Sequence, residues 1–367
     1  MGIIDKYFRD KTTKLSYLEL KNVKEQYIDY GLNDIPLPIV TDNLMQGLQN
    51  DKFENEVSID FIVEGMLYNI ALDNEFKYID DYKNVLKYIL DNPAMYAVNL
   101  GIKKLDTSLE EAIILFRAAY ILDEKNNYAV YNYARLLWRL DIDEDDRGYY
   151  ISRSVKLLEQ TLVNDSEFAL GYYELANIFK AIGEYLKAMN YYKKTLAIVE
   201  IDSLQDEIRT LMVEIEPDAL VEDAIYFINK MDYSKALEIL SEASKKASRF
   251  DVLYYMAVCY MNLERLDLAE EYFEKALDGG ADFSTLYIDY IYVLYAQGRP
   301  EIALDVANEA VEKYPTDIKL RYNRALILVE LGASSKAIED LDFILEYQDL
   351  SDEMFNQVMI VKESLVK

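Results

Sequence analysis

The chain of 367 residues contains no histidine. That removes the commonest general base and the commonest zinc ligand. It also excludes a Ser-His-Asp or Cys-His nucleophile site. Cys259 is the only cysteine, so no intramolecular disulfide can form, and an oxidising compartment has no support. Glycine (12) and proline (6) are scarce. Few helix breakers beside much Leu, Ile, Ala, Glu and Lys predict a nearly all-helical protein. No run of about 18 apolar residues occurs, so no segment is expected to span a membrane. The opening MGIIDKYFRDKTTKL lacks an apolar run after its basic residues and does not read as a signal peptide. Gly2 is not followed by the hydroxyl residue that myristoylation wants, since Lys6 stands there. The expected location is the cytoplasm.

Positive charge is also thin. Thirty-nine Lys and Arg face 67 Asp and Glu, a net charge of −28, and the bases occur as isolated pairs such as Lys193-Lys194 and Lys245-Lys246. Such a field repels a phosphate backbone or an anionic bilayer, so neither is expected as a partner. A neutral or basic protein segment fits it better. Glycine-rich phosphate loops are absent, and acid pairs such as Glu110-Glu111 and Glu270-Glu271 lie side by side as on a solvated helix face. The expectation is a protein without catalytic activity, metal or cofactor.

What the sequence does have is tyrosine, 33 of them, and a repeat. Ala169 to Leu196 reads as two amphipathic helices joined at Gly183, with Ala176 and Ala188 where the helices approach. The pattern returns over 253–277, 286–315 and 322–345, with a worn copy over 220–243. The small residue at the tight crossing is Ala236, Ala269, Ala303 and Ala337, at intervals of 33, 34 and 34. Such a period marks a stack of helical hairpins, each burying its apolar face on its neighbours.

These copies resemble tetratricopeptide repeats. Tyr172, Leu175-Ala176, Phe179, Ala188 and Tyr192 follow that consensus in one copy, and Ala257, Tyr260, Ala269, Phe273 and Ala276 in another. Pro315 ends a third, and Ala325, Gly332 and Ala337 carry the last. The resemblance covers about residues 108–346. It implies an all-α fold, a right-handed α-solenoid. The segments outside it are read as an N-terminal helical cap over 1–57, a divergent helical repeat region over 58–107, and a capping helix over 347–367.

Two irregularities interrupt the period. The interval from Ala112 to Ser154 is 42 residues, eight too many, and the acidic DIDEDDRG of 141–148 has eight residues. It is read as a solvated loop insertion. As a calcium loop it fails, having Asp146 where glycine is needed and Ser152 where glutamate is needed. Between Ala188 and Ala236 lie 14 surplus residues, read as an extra or elongated helix around 200–217, with Pro217 in the first turn of the helix that follows. In the first hundred residues, Tyr17 to Tyr30 reads as a helix, 35–43 as an extended linker, 59–72 and 77–90 as a helical hairpin, and 94–104 as a further helix.

The resemblance also implies a function. Such repeats hold peptides or helices of partner proteins on the face lined by their first helices, and carry no chemistry. Carrying the family's groove register over gives Tyr128, Tyr131, Asn132, Arg135, Trp138 and Arg139 in one repeat. The next gives Tyr173, Glu174, Asn177 and Lys180. Later repeats give Tyr254, Tyr255 and Asn262, then Asp289, Tyr292 and Tyr295, then Tyr322 and Asn323. Tyrosine offers large contact area and a hydroxyl at small entropic cost, and asparagine bonds an extended backbone of any sequence. Compositional bias places tyrosines on this face equally well. A carboxylate clamp of Asn132, Arg135, Asn177 and Lys180 is a weaker reading, because these do not occupy the clamp's own positions. The leading reading is a scaffold binding a partner peptide or protein, with self-association open. The alternative is a peptide-sensing regulator acting on another protein; residues 1–107 show no helix-turn-helix.

Overall fold

The computed structural model describes residues 2–19, 32, 35–49, 57–246 and 249–365. They divide into two compact units, Met1–Met212 and Val213–Lys367. This boundary falls within the 108–346 repeat stretch.

The first unit opens with helix α1 (Ile3–Arg9), a 3-10 turn, and strands β1 (Leu15–Leu18) and β2 (Leu37–Val40). The strands pair antiparallel, Leu15 opposite Val40 and Leu18 opposite Leu37. Tyr17 and Leu18 are therefore extended, not helical, and the rest of the helix expected to Tyr30 lies outside the described residues apart from Glu19. The extended linker of 35–43 forms β2 and then turns into helix α2 (Thr41–Gln49). Helices α3 (Ile59–Leu72), α4 (Ile79–Ile89) and α5 (Pro93–Lys104) fall where periodicity puts them, but α3 packs mainly on β2 and on α6 (Leu109–Leu122). Gly65 makes that packing possible, since a Cβ there would stand 2.0 Å from the Pro38 carbonyl oxygen. Asn92 accepts from the Met95 N–H and Ser108 from the Glu111 N–H, capping α5 and α6.

The hairpins α7 (Asn127–Leu137) with α8 (Glu144–Asn164), and α9 (Ala169–Ala181) with α10 (Tyr185–Ile198), complete the regular part of this unit. The acidic insertion is only partly a loop. Asp141 to Asp143 connect the helices, and Glu144 begins α8, so the surplus residues lengthen the helix by more than a turn. Glu144, Asp145 and Asp146 in its first turn oppose the positive end of the helix dipole, which favours helix there.

Helix α11 (Asp202–Asn229) carries the second surplus as one elongated helix, and Pro217 lies inside it, not in a first turn. The buried positions Ile208, Ile215 and Ala219 continue one face through the proline, so the helix persists despite one lost backbone bond. The carbonyl that Pro217 leaves without its helical donor is that of Val213, where the second unit begins.

The second unit continues with α12 (Tyr233–Lys246), α13 (Phe250–Asn262), α14 (Leu266–Asp278), α15 (Ser284–Ala296), α16 (Pro300–Lys313), α17 (Ile318–Glu330), α18 (Ser334–Leu345) and α19 (Asp352–Leu365). The crossing alanines 188, 236, 269, 303 and 337 are all fully buried. Five residues before each stands a left-handed residue: Gly183, Met231, Glu264, Gly298 and Gly332. The next N–H returns to the carbonyl five residues back in every case, as Glu184 to Phe179 and Arg265 to Tyr260. This is one helix-ending turn, built five times and twice without glycine. Cys259 is a buried core residue, and burial pushes its thiol up to about 12.

Candidate interaction faces on the first helices

In the second unit the first helices α13, α15 and α17 lie in sequence, each against the next. Tyr292 and Asp289 are three residues apart, so they share one face of α15, as Asn323, Leu326 and Glu330 share one face of α17. Between these faces opens a cleft of about 260 Å³, lined by Ile291, Tyr292, Tyr295, Asn323, Leu326 and Ile327. Tyr292 is 56% exposed, Tyr295 40% and Leu326 37%, an unusual density of open apolar surface.

Tyr254 stands one helix back. Its hydroxyl donates to Asp289 Oδ2 at 2.9 Å, and its ring meets Phe283 edge-on. Burial raises the Asp289 carboxyl pKa, and the Tyr254 bond opposes that rise only in part. Interaction with Glu330 raises the pKa of the Tyr295 hydroxyl. Tyr255 and Tyr322 are half-buried beside the core and do not line the cleft. Asn262 donates to the Val258 carbonyl of its own helix at 2.8 Å.

The first unit arranges its face differently. Tyr128 is exposed and meets Phe168 edge-on. Tyr131 and Asn132 are 7% and 5% exposed, so their side chains offer no free surface, and the Asn132 amide is donated to the Tyr128 carbonyl. Both residues were expected on the groove. The reason is register: α7 turns these positions into the packing beside α8 and α9. Arg135 lies over the rings of Phe116 and Tyr131. Trp138 Nε1 donates to Glu174 Oε1 at 2.8 Å, and Arg139 reaches the same oxygen at 2.6 Å. Glu174 is 2% exposed; burial raises its pKa and the Arg139 charge lowers it. Tyr173 donates to Glu207 at 2.6 Å, and burial, with that bond, pushes its hydroxyl up to about 12. Asn177 accepts from Tyr192, and Lys180 is half-buried in the last turn of α9. Of the four residues of the clamp reading, Asn132 has its amide engaged within its own helix.

A family model described as Tetratricopeptide repeat matches residues 250–278, and a second of the same description matches 284–328. These are the α13–α14 hairpin and the run from α15 into α17. The chain carries tetratricopeptide repeats over these residues. It is similar to the BBSome complex member BBS4 of Bos taurus, 27% identical over 117 residues, 31% of this chain and 22% of that protein. The match thus spans about a fifth of that relative's length. Among solved structures it is similar to PilW, a widely conserved type IV pilus biogenesis factor, at 15% identity over 62% of this chain and 98% of that one, with a TM-score of 0.42. It is also similar to YrrB, a TPR protein with an unusual peptide-binding site, at 18% identity over 68% and 97%, with a TM-score of 0.29. In general terms, tetratricopeptide repeats make the chain a protein–protein interaction scaffold.

Three steps between successive first helices share one bond. An aromatic donor reaches an acid one repeat further on: Trp138 to Glu174, Tyr173 to Glu207, and Tyr254 to Asp289. Register reading named the donors but missed Glu207, Glu330, Leu326 and the two isoleucines of the cleft. The helical step of three and four residues from Asn323 would have reached Leu326, Ile327 and Glu330. Among the described residues no three acidic or thiol side chains converge as a metal site would require. Among the described residues no helix is long and apolar enough to cross a membrane.

Proposed function

We propose that this protein is a non-catalytic scaffold that holds a partner peptide or protein, neutral or basic in charge, against the first-helix faces of its tetratricopeptide repeats. The observation that carries the reading is the convergence of exposed Tyr292, Tyr295 and Leu326 with Asn323 in one apolar cleft. Aromatic side chains around a pocket are the residues that most often dominate binding energy at protein interfaces. Asn323 at the rim adds both a donor and an acceptor for a partner's backbone. Tyr128, Trp138 and Tyr173 are the corresponding candidates in the first unit.

The test is affinity capture from a lysate of the cells that make the protein. The bait is wild type or a Tyr292→Ala/Leu326→Ala variant that melts at the same temperature. A polypeptide held by wild type and released by the variant supports the cleft as the contact. Equal retention by both baits excludes it for that partner.

A further inference from the structure

Beside the residues that line the cleft between α15 and α17 stand two carboxylates in sequence, Asp289 one turn before Tyr292 and Glu330 one turn beyond Leu326. Asp289 accepts a hydrogen bond from Tyr254, and Glu330 acts on the Tyr295 hydroxyl, raising its pKa. No cation acts on Asp289 among the described residues. The nearby cations are occupied elsewhere. Arg321 and Arg324 both point to Asp340, at 3.0 and 2.6 Å, and Asp340 is only 2% exposed at its side chain. The contrast with the first unit is direct. There the ring-bonded acid Glu174 is met by Arg139 at 2.6 Å, so the charge is neutralised within the chain. At Asp289 the same ring-to-acid bond leaves a half-buried anion unneutralised, a state that costs free energy until a cation arrives.

We propose, resting on the reading of this face as a partner site, that the cleft takes one large apolar side chain from a segment carrying lysine or arginine close beside it. Asp289 and Glu330 receive those cations. The apolar side chain fills the space between Tyr292, Tyr295 and Leu326. The helical ladder sets the scale: Asp289 is one turn before Tyr292 on α15, and Glu330 one turn beyond Leu326 on α17. The two carboxylates thus lie toward opposite ends of the apolar patch, and a cation within about three residues of the buried side chain reaches one of them in extended or helical form. Partner charge then fixes position along the groove, and partner bulk fixes depth.

The experiment pans a phage-displayed random dodecapeptide library on the full chain. Enriched peptides are then labelled, and their binding is measured by fluorescence anisotropy. The expected peptides carry Leu, Met or an aromatic residue with Lys or Arg within three positions. Tyr292→Ala weakens them tenfold or more. Asp289→Asn keeps the Tyr254 bond but weakens them about tenfold and flattens the salt dependence. Peptides that lose affinity in Tyr292→Ala but bind Asp289→Asn and Glu330→Gln as wild type overturn this inference and leave the cleft reading standing. A library yielding no peptide dependent on Tyr292 overturns both. So does a light-scattering mass showing a dimer of this chain that Tyr292→Ala dissolves, since the cleft's occupant would then be a second copy.

Discussion

The Pro38 carbonyl of β2 and the Cα of Gly65 on α3 approach so closely that no side chain fits between them; a Cβ on Gly65 would meet that oxygen at 2.0 Å. Both groups are backbone, so neither can rotate away. Gly65→Ala is expected to cost at least about 2 kcal/mol, the range of overpacked core sites. The same change should expose the N-terminal segment to protease, because β2 is what α3 holds. A variant with unchanged melting temperature and cleavage pattern would refute the close packing.

Glu264 should become more stable as glycine. It occupies the turn that Gly183, Gly298 and Gly332 occupy elsewhere, at a φ of 57° where a Cβ crowds the backbone. Glu264→Gly is predicted to stabilise by about 1 kcal/mol, and Met231→Gly similarly. Thermal unfolding of the two single variants checks this. A lower melting temperature in both would show that the side chains contribute more than the turn costs.

Asp289→Asn should stabilise the free protein at neutral pH. Burial raises the folded carboxyl above its usual value of 3.8, so the folded state holds an extra proton between that value and the raised one. Stability therefore falls as pH climbs through this window, and the loss is complete above it. The melting-temperature advantage of Asp289→Asn over wild type should grow from pH 3 to pH 7. A constant difference would count against the carboxylate being the source. A change that stabilises the chain while weakening basic peptides is the trade expected of a binding residue.

Arg117 is 4% exposed and ties three elements together. It donates to the Ala71 carbonyl and to Asp5, both at 2.5 Å, and lies over the Phe8 ring. Arg117→Met keeps volume but strands the carbonyl, and is predicted to cost about 2 kcal/mol. Hydrogen exchange should report the loss first in α1. Uniform protection across the variant would refute the assignment.

The repeat was legible because the crossing alanines and the helix-ending turns recur at fixed distances, and neighbours in space are neighbours in sequence. The hairpin helices followed from that alone. Strands β1 and β2 were not legible, because their pairing joins residues about twenty positions apart and neither strand alternates in burial like a surface strand. Pro217 was misplaced because proline is read as a start signal, although a continuous buried face can carry a helix through it. Among the residues lining the cleft, the register names Tyr292, Tyr295 and Asn323. The register does not name Leu326, which is aliphatic yet exposed, or Ile327, which is buried, and it does name Tyr131 and Asn132, which are almost fully buried. Exposure is a property of neighbours, which a single-repeat register does not contain.

Arg117 has a consequence for how the protein is made. Most contacts in a repeat stack join adjacent hairpins, so such chains can build up as they emerge from the ribosome. Asp5 and Phe8 are different, because both meet Arg117, which is 112 residues beyond Asp5. At ordinary rates of synthesis that residue follows about 6 to 22 s later. Until then α1 has lost part of its landing site, and an aromatic ring that ends fully buried has no lasting cover. Helix α1 thus waits for Arg117 before its packing is complete, which makes this helix a natural client for a chaperone.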